Sequence, residues 1–336
     1  MIIPFFITHA GCPHRCVFCN QKNITGSIAP EDPATIPGKI GRHLSTNLTH
    51  QPVQIAFYGG SFTALPLEMQ KTYLEAVRPF LRAGKVRNIR ISTRPDAIGN
   101  TVLSLLEEYA VTVVELGVQS MVNEVLARSG RGHTSNDTVN AVKMLKEQGF
   151  AIGLQLMPGL PGDSHRHFHE TVQRTIELGP EFVRLYPALV VKDTPLENLY
   201  RSGRYTPLAL DEAVSLCLDA YREFEKAGIA VIRMGLQPTE ELGRSGTILA
   251  GPFHPAFRQL VESSLFLEKM RSAIIQNKKG HDDTVVFLVH AQDISSAIGQ
   301  HRVNIEKLKK EFGLRKVRFV EKSSSGKRGE AVLLAD

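Results

Sequence analysis

The sequence lacks the features of a membrane or secreted protein. No apolar run approaches the ~20 residues that a membrane-spanning helix needs. The apolar start, MIIPFFITHAGC, has neither the basic beginning nor the long apolar stretch of a signal peptide. Low-complexity tracts are also missing. With 42% hydrophobic and 22% charged residues, the chain has the composition of a globular protein and not of a disordered one.

Cysteine is scarce. The 336 residues contain four, and three of these fall between positions 12 and 19. Cysteines crowded into one loop do not resemble the disulfide framework of a secreted domain. We therefore expect a cytoplasmic protein whose thiols stay reduced, with no membrane association. The formal net charge of +6 permits an acidic partner such as nucleic acid but does not require one.

Apolar runs alternate with amphipathic segments of helical period along the first two thirds of the chain. Strands are predicted at residues 2–8, 53–59, 87–93, 111–119, 151–158 and 182–190, with a further candidate at 229–235. Such repetition specifies parallel βαβ units with right-handed crossovers. The predicted fold class is α/β, a partial TIM-like (β/α)6 barrel with a small C-terminal α+β domain. One helix, in NDTVNAVKMLKEQG, is predicted to be capped by Asn136 or Asp137.

Distinctive turns follow the predicted strands, each at the same end. They are the cysteine-rich stretch after the first strand, YGGSF (58–62), STRPD (92–96), GVQS (117–120) and MPGLPG (157–162). Any one of them alone is an ordinary turn punctuated by Gly or Pro. Because the carboxyl ends of barrel strands converge on one mouth, their succession predicts a shared cavity.

The three clustered cysteines, Cys12, Cys16 and Cys19, have the spacing C-x-x-x-C-x-x-C. Soft thiolates this close together suit zinc or an iron–sulfur cluster. Structural zinc takes four protein ligands, and the nearby candidates for a fourth, His14 and His9, are poorly spaced for it. A [4Fe–4S] cluster on three cysteines instead leaves one iron with an open position, where a small molecule can bind.

With Phe18 just before the last cysteine, this spacing resembles the cluster loop of the radical S-adenosylmethionine enzymes, and the likeness extends over roughly residues 1–240. The resemblance implies that the open iron binds S-adenosylmethionine. An electron from the reduced cluster then cleaves it to methionine and a 5′-deoxyadenosyl radical, which abstracts a substrate hydrogen. The electron implies a reductant of the flavodoxin or ferredoxin type.

The same resemblance implies further cofactor contacts. The turn Gly59, Gly60 and Ser61 matches the one that meets the cofactor's amino group, where glycines allow close approach. Ser92 and Arg94 match contacts to the ribose and carboxylate, although Arg94 is equally suited to a structural ion pair. The remaining matches are Gln119 and Ser120 at the end of the fourth strand, and the backbone around Pro158 for the adenine. No residue is singled out as catalytic.

The order of these motifs, with LYPALVVKDTPL and GRY after them, is most similar to the radical domain of the Elongator catalytic subunit, which modifies the wobble uridine of transfer RNA. Two departures stand out: Elongator has a wider first cysteine gap, and only residues 243–336 follow the barrel here. We therefore expect no acetyltransferase domain and no acetyl transfer. Oxygen-independent coproporphyrinogen oxidases also share GVQS and GLPG, which keeps a small-molecule substrate open.

Three parts are predicted: the barrel (1–242), a connector with a helix (243–280) and a C-terminal module (281–336). The last reads strand 284–289, helices 293–299 and 303–313, and strands 316–321 and 330–335. This order resembles the RNA-binding KH module, whose G-x-x-G loop clamps nucleotide backbone.

In this chain Gly299 matches the first glycine of that loop and Arg302 replaces the second, so Gly299, His301 and Arg302 are candidate RNA contacts. With 10 Lys and Arg against 8 Asp and Glu over 281–336, a packing or self-association module is a close alternative.

The leading hypothesis is a radical S-adenosylmethionine enzyme that modifies RNA, with transfer RNA as the first choice. One alternative is a radical enzyme acting on a small molecule, with the module serving oligomerisation. Another is a non-catalytic RNA-binding protein whose cysteines hold zinc.

Overall fold

The computed structural model describes residues 1–20, 23–24, 26, 29–46, 52–243, 246–281, 283–322 and 329–334. By internal contacts the chain divides into two compact units. The first is formed by residues 1–213 and 220–253, and the second by residues 254–336 with 214–219. The predicted three-part division of the chain stays a prediction.

The first unit alternates strands and helices. Its strands are β1 (Ile2–Phe6), β2 (Gln54–Tyr58), β3 (Asn88–Thr93), β4 (Val111–Gln119), β5 (Ala151–Leu156), β6 (Phe182–Leu185), β7 (Val190–Val191), β8 (Ala230–Met234) and β9 (Ile248–Ala250). Its helices are α1 (Ile36–Ser45), α2 (Leu67–Arg82), α3 (Asn100–Glu108), α4 (Asn123–Arg128), α5 (Ser135–Glu147), α6 (His165–Leu178), α7 (Pro195–Arg201), α8 (Leu210–Lys226, except residues 214–219) and α9 (Glu240–Gly243).

Seven of these strands form one parallel sheet in the order β1-β2-β3-β4-β5-β6-β8. The strand order follows the chain, as consecutive βαβ units require, and the arrangement is an open half-barrel. The predicted α/β class, a partial barrel with a small C-terminal domain, is confirmed. One detail is wrong: the run predicted as one strand at 182–190 is two strands, because β6 ends at Leu185 and β7 pairs antiparallel with β9.

Alternation along the strands explains why the sheet has one apolar and one polar face. In β3, Ile89, Ile91 and Thr93 are buried, whereas Asn88, Arg90 and Ser92 are only half-buried. Side chains of a strand point alternately to its two faces. The apolar set is therefore covered, and the polar set lines the opposite face of the sheet.

The cap of α5 differs from its prediction. Thr134 is the N-cap residue, and its side chain accepts a hydrogen bond from the backbone N–H of Asp137. The Asp137 carboxylate accepts in return from the Thr134 backbone N–H at 2.7 Å, which completes a capping box. Asn136 takes no part in this arrangement.

The second unit has its own core. Its elements are α10 (Phe257–Gln276), β10 (Thr284–His290), α11 (Ile294–Ile298), α12 (Val303–Phe312), β11 (Lys316–Lys322) and β12 (Ala331–Leu333). The sheet has the order β11-β10-β12, with β10 parallel to β11 and antiparallel to β12. Phe287, Met270 and Leu308 are central to its buried cluster. The positions of these elements match the predicted ones, while the likeness to a KH module stays a prediction.

None of the helices in the described part of the chain is both long and apolar enough to cross a membrane.

Candidate active site

The cysteine loop (residues 8–20) follows β1 and is held by backbone hydrogen bonds to three other segments. His9 N–H donates to Gly59 O at 2.9 Å, and Ser61 N–H donates to Ala10 O at 2.9 Å. Further along, Val17 N–H donates to Ser129 O at 3.0 Å, and Val17 O accepts from Leu196 N–H at 2.8 Å. The loop is therefore fixed by contacts that do not involve its cysteine side chains.

Glycines make the approach between the cysteine loop and the turn after β2 possible. A Cβ on Gly60 would lie 2.5 Å from Ile7 O and 2.6 Å from Ala10 O. A Cβ on Gly11 would lie 2.2 Å from Ser61 O. Gly59 has φ +83°, a conformation that L side chains rarely adopt. These glycines thus serve a close contact between two backbone segments, and a cofactor contact at Gly59 and Gly60 stays a prediction.

Of the three cysteines of the loop, Cys16 is buried, Cys19 half-buried and Cys12 exposed. Cys12 Sγ lies 3.4 Å from the Oγ of Ser61, which is buried. Cys16 Sγ accepts a hydrogen bond from Arg131 Nη1 at 3.4 Å. Two of the three predicted ligands therefore already contact polar groups of other loops.

Phe18 anchors the loop on its apolar side. The ring packs against a buried cluster that includes Leu160 and Ala188 and against a second that includes Leu196 and Tyr205. The aromatic residue before the last cysteine is therefore part of the packing that holds the loop down. The contact of Phe18 with the cofactor stays a prediction.

A further loop, which the sequence analysis missed, packs against the cysteine loop. We call it the arginine loop (residues 129–133). Ser129, Arg131 and His133 are buried in it. Gly132 has φ +76°, and a Cβ there would lie 2.4 Å from the His14 ring. A Gly-Arg-Gly sequence just after a helix was the available signal, because it indicates a backbone that must turn sharply and approach a neighbour closely.

Arg94 is buried in an ion pair. Its Nε and Nη2 each donate to the Asp96 carboxylate at 2.9 Å, and Nη2 also donates to Arg131 O at 2.6 Å. The structural alternative for Arg94 is thus realised, while Nη1 is buried with no partner among the described residues. Ser92, two residues earlier on β3, is half-buried on the polar face of the sheet.

Gln119 and Ser120 are both buried where β4 ends. Gln119 has φ +69°, and the register with β5 shifts between Gly117 and Gln119. This bulge turns the amide inward, where Gln119 Oε1 accepts from Gln155 Nε2 at 3.2 Å. Ser120 Oγ instead lies 3.2 Å from Thr171 Oγ1.

The turn that contains Pro158 borders a cleft of about 380 Å³. Pro158 itself is buried, and its carbonyl accepts from Ala188 N–H at 2.9 Å. The adjoining residues Gly159 to Asp163 form one wall of the cleft, and Arg204 to Thr206 form another. Burial raises the pKa of Asp163 above its usual value, although two backbone N–H groups donate to its carboxylate and oppose the effect.

An ion network crosses the polar face of the sheet. Glu115 Oε1 accepts from Arg90 Nη1 at 2.8 Å and from Arg184 Nη2 at 2.9 Å. The Tyr58 hydroxyl donates to the same oxygen at 3.1 Å. Burial, with the Glu115 charge, raises the pKa of Tyr58. Two guanidiniums against one carboxylate leave this group with an excess positive charge.

The candidate RNA contacts lie at the start of α12. Gly299 has φ +76°, and a Cβ there would lie 2.8 Å from Val303 and 2.9 Å from Ser263 Oγ. His301 and Arg302 are exposed and have φ +50° and +63°, which is uncommon for residues with a side chain. Contact with RNA at these three positions stays a prediction.

The residues present fit the predicted iron–sulfur cluster. Three cysteines lie in one anchored loop, and a buried guanidinium donates to one of them. Within the described ranges, no three His, Cys, Asp or Glu side chains are arranged to hold one metal ion. The cysteines of a [4Fe–4S] cluster bind different irons. Their sulfur atoms can therefore lie further apart than the ligands of a single metal ion.

Comparison with known proteins identifies related sequences. The model of the Radical SAM superfamily matches residues 6–175, and that of the Radical_SAM C-terminal domain matches residues 180–266. The tRNA uridine(34) acetyltransferase of Methanocaldococcus jannaschii is 27% identical over 245 residues, 61% of this chain and 45% of the relative. Elongator complex protein 3 of Danio rerio is 32% identical over 259 residues, 62% of this chain and 46% of the relative.

An uncharacterised protein of M. jannaschii is 32% identical over 223 residues, 62% of this chain and 67% of the relative. Among solved structures, archaeal Elp3 of Methanocaldococcus infernus aligns with a TM-score of 0.61 at 22% identity, over 80% of this chain and 63% of that one. This likeness supports the fold. The chain spans about half the length of the tRNA uridine(34) acetyltransferases that it matches.

Proposed function

The chain belongs to the radical S-adenosylmethionine superfamily, a class of enzymes, and we propose that it modifies RNA, with transfer RNA as the substrate class. The observation that carries the proposal is the likeness of its barrel to proteins named for transfer RNA uridine modification and for Elongator. Acetyl transfer forms no part of the proposal, which rests on the two radical SAM regions that the family models match.

The cofactors of this superfamily are a [4Fe–4S] cluster and S-adenosylmethionine. When bound, they supply a 5′-deoxyadenosyl radical that abstracts hydrogen from a substrate. In this chain Cys12, Cys16 and Cys19 would hold the cluster. The chain's own part is to fix the loop through Phe18 and the backbone contacts at Gly59 to Ser61, and to keep Cys16 away from water.

A substrate role for the polar face of the sheet follows from its charge. Arg90 and Arg184 share one carboxylate, Glu115, so the excess positive charge attracts an anionic substrate. Arg184 is also 5.2 Å from the centroid of the Tyr58 ring. Phosphate groups of RNA would be drawn toward this face, while the exposed His301 and Arg302 of the second unit would contact the RNA elsewhere.

The first experiment tests the radical chemistry. After anaerobic reconstitution with iron and sulfide, reduction, and addition of S-adenosylmethionine, we expect the wild-type protein to release 5′-deoxyadenosine. Cys16→Ala should abolish this product, because it removes a proposed cluster ligand. Cys217→Ala is the matched control: Cys217 is fully buried on α8, so its loss should leave iron content and product unchanged. Zinc without sulfide in the purified wild-type protein would contradict the proposal.

The second experiment tests the substrate class. Transfer RNA should bind with an affinity that falls as salt rises, since each phosphate contact releases counterions and contributes a slope of about 0.7 to 0.9. Arg302→Ala should weaken binding and reduce that slope, whereas Lys85→Ala, which removes one exposed charge elsewhere, should change neither. Failure to retain RNA, with salt-independent activity on a small molecule, would contradict an RNA substrate.

The proposal includes a partner and a location. A flavodoxin or ferredoxin type protein is the proposed electron donor, and the cytoplasm is the proposed location because few cysteines, three of them in one loop, suit a reducing compartment.

A further inference from the structure

The arginine loop joins the cysteine loop to the interior of the sheet. Ser129 is buried and its carbonyl accepts from Val17 N–H at 3.0 Å. Gly130 and Gly132 have φ +61° and +76°, so the chain between them is turned twice by residues that tolerate this backbone conformation. Arg131, between the two glycines, is thereby directed at the cysteine loop.

Arg131 is only 7% exposed, and its guanidinium donates two hydrogen bonds. Nη1 donates to Cys16 Sγ at 3.4 Å, and Nη2 donates to Gly117 O on β4. Nε is buried without a partner among the described residues. Among the residues that the structure describes, no Asp or Glu side chain lies within ion-pair distance of Arg131.

A buried cation without a carboxylate is costly unless another anion compensates it. The nearest polar atom able to carry negative charge is Cys16 Sγ, which becomes a thiolate when it binds iron. The charge of the Arg131 guanidinium is therefore uncompensated while Cys16 is a neutral thiol, and it is compensated when Cys16 is a metal-bound thiolate. Reduction adds an electron to the cluster, and a nearby positive charge with a hydrogen bond to a ligand sulfur favours that state.

We propose that Arg131 is a positioning residue that stabilises the Cys16 thiolate and raises the reduction potential of the cluster bound to it. The proposal rests on the proposed role of Cys16 as a cluster ligand. Because Nη2 is held by Gly117 O, the guanidinium is fixed toward the sulfur and not free to rotate into solvent. The backbone of the arginine loop is held as well, because Arg131 O accepts a hydrogen bond from Arg94 Nη2 at 2.6 Å.

The test compares the wild type with Arg131→Gln and Arg131→Lys after anaerobic reconstitution. Iron and sulfide are measured first, and the cluster is then titrated with a reductant while electron paramagnetic resonance reports the reduced fraction. Arg131→Gln should lower the reduced-to-oxidised ratio at least tenfold at the wild-type midpoint, which is a shift of about 59 mV to more negative potential for one electron. Arg131→Lys, which keeps the charge but loses the fork, should give a smaller shift in the same direction.

Arg78→Gln is the matched control, because Arg78 pairs with Glu75 on the surface of α2 and its loss should leave the midpoint unchanged. A second outcome is that Arg131→Gln takes up no cluster. In that case the proposal is supported if Arg131→Lys retains iron and if the two variants, each prepared without a cluster, unfold at the same temperature as the cluster-free wild type. A wild-type midpoint in a fully loaded Arg131→Gln protein overturns it, as does loss of iron from both variants.

These outcomes are distinct from failure of the proposed function. If the wild-type protein itself takes up no iron and sulfide, the assignment of Cys16 as a ligand fails before any property of Arg131 is measured. If the wild type holds a cluster and releases 5′-deoxyadenosine, the two Arg131 variants decide the role of the arginine.

Discussion

At the scale of single residues, glycine conformation and buried charge govern the site. Gly132 lies so close to the ring of the exposed His14 that a methyl group would displace the ring, and its φ of +76° is itself unfavourable for a residue with a side chain. Next to it, His133 is buried with neither ring nitrogen hydrogen-bonded among the described residues. Both features make the arginine loop sensitive to single changes.

Gly132→Ala should lower the free energy of unfolding by more than the backbone conformation alone explains. The left-handed conformation costs about 1 to 2 kcal/mol, and displacement of the His14 ring from its place beside Gly132 adds to it. Gly84→Ala is the control, because Gly84 has φ +65° but open space around its missing Cβ. Urea unfolding measures both variants, and equal losses would contradict a steric contact at Gly132.

Because His133 is buried, we expect the free energy of unfolding to fall in acid. Burial, together with the Arg131 and Arg94 charges, lowers its pKa to about 3 in the folded chain. The unfolded imidazole binds a proton below about pH 6.5, so acid favours unfolding, and this group should cost about 2 kcal/mol between pH 7 and pH 5.

Urea unfolding of the cluster-free wild type and of His133→Gln at both pH values measures this contribution as a difference of differences. A pH dependence that is the same in both proteins would contradict it.

At the scale of secondary-structure elements, the strands of the half-barrel carry an ionic layer on their polar face. Glu115 on β4 joins Arg90 on β3 to Arg184 on β6. Neutralising a carboxylate between two half-buried cations leaves them uncompensated, so Glu115→Gln should destabilise the chain by about 3 to 5 kcal/mol.

Glu68→Gln serves as the control for Glu115→Gln. Glu68 pairs with Lys71 on the exposed side of α2, where ion pairs contribute little. Chemical denaturation compares the two variants. A Glu115→Gln protein as stable as the control would mean that the layer is solvated more fully than its burial indicates.

The elements were predictable from the sequence because their signals are local. Parallel strands covered by helices read as apolar runs between turns, and all seven strands of the large sheet lie within predicted runs. The contacts of the site were not predictable in this way. Arg131 and Cys16 are 115 positions apart, and nothing near either residue in the sequence indicates that they meet.

The glycines and Arg94 illustrate the same limit. The family resemblance predicted close approach of the cofactor at Gly60, which stays a prediction, whereas the backbone neighbours Ile7 and Ala10 are identified only by the fold. The sequence left two roles open for Arg94, and the pairing with Asp96 depends on the turn that follows β3. Local patterns thus predict where a side chain is needed, and tertiary packing decides what it contacts.

At the scale of the whole molecule, each unit has a core of its own. The chain contains no tryptophan, and its seven tyrosines all lie between positions 58 and 221, within the first unit. Intrinsic tyrosine fluorescence therefore reports the first unit, and a tryptophan placed on the exposed sheet face by Val320→Trp reports the second.

We expect the two fluorescence signals to follow separate transitions in urea, because each unit buries its own apolar cluster. Circular dichroism of the wild type, which monitors both units, should then span both transitions. Coincident curves from the two fluorophores would mean that the units unfold as one cooperative body.

The backbone anchoring of the cysteine loop bears on how the protein is assembled in the cell. Small zinc domains fold only when their metal arrives, whereas this loop is also held by the packing of Phe18 and the backbone hydrogen bonds of His9 and Val17, which do not use the cysteine side chains. We therefore expect the chain to fold before the proposed cluster is inserted. By the same reasoning, loss of the proposed cluster to oxygen should leave the chain folded, so that a new cluster can be inserted into the same loop.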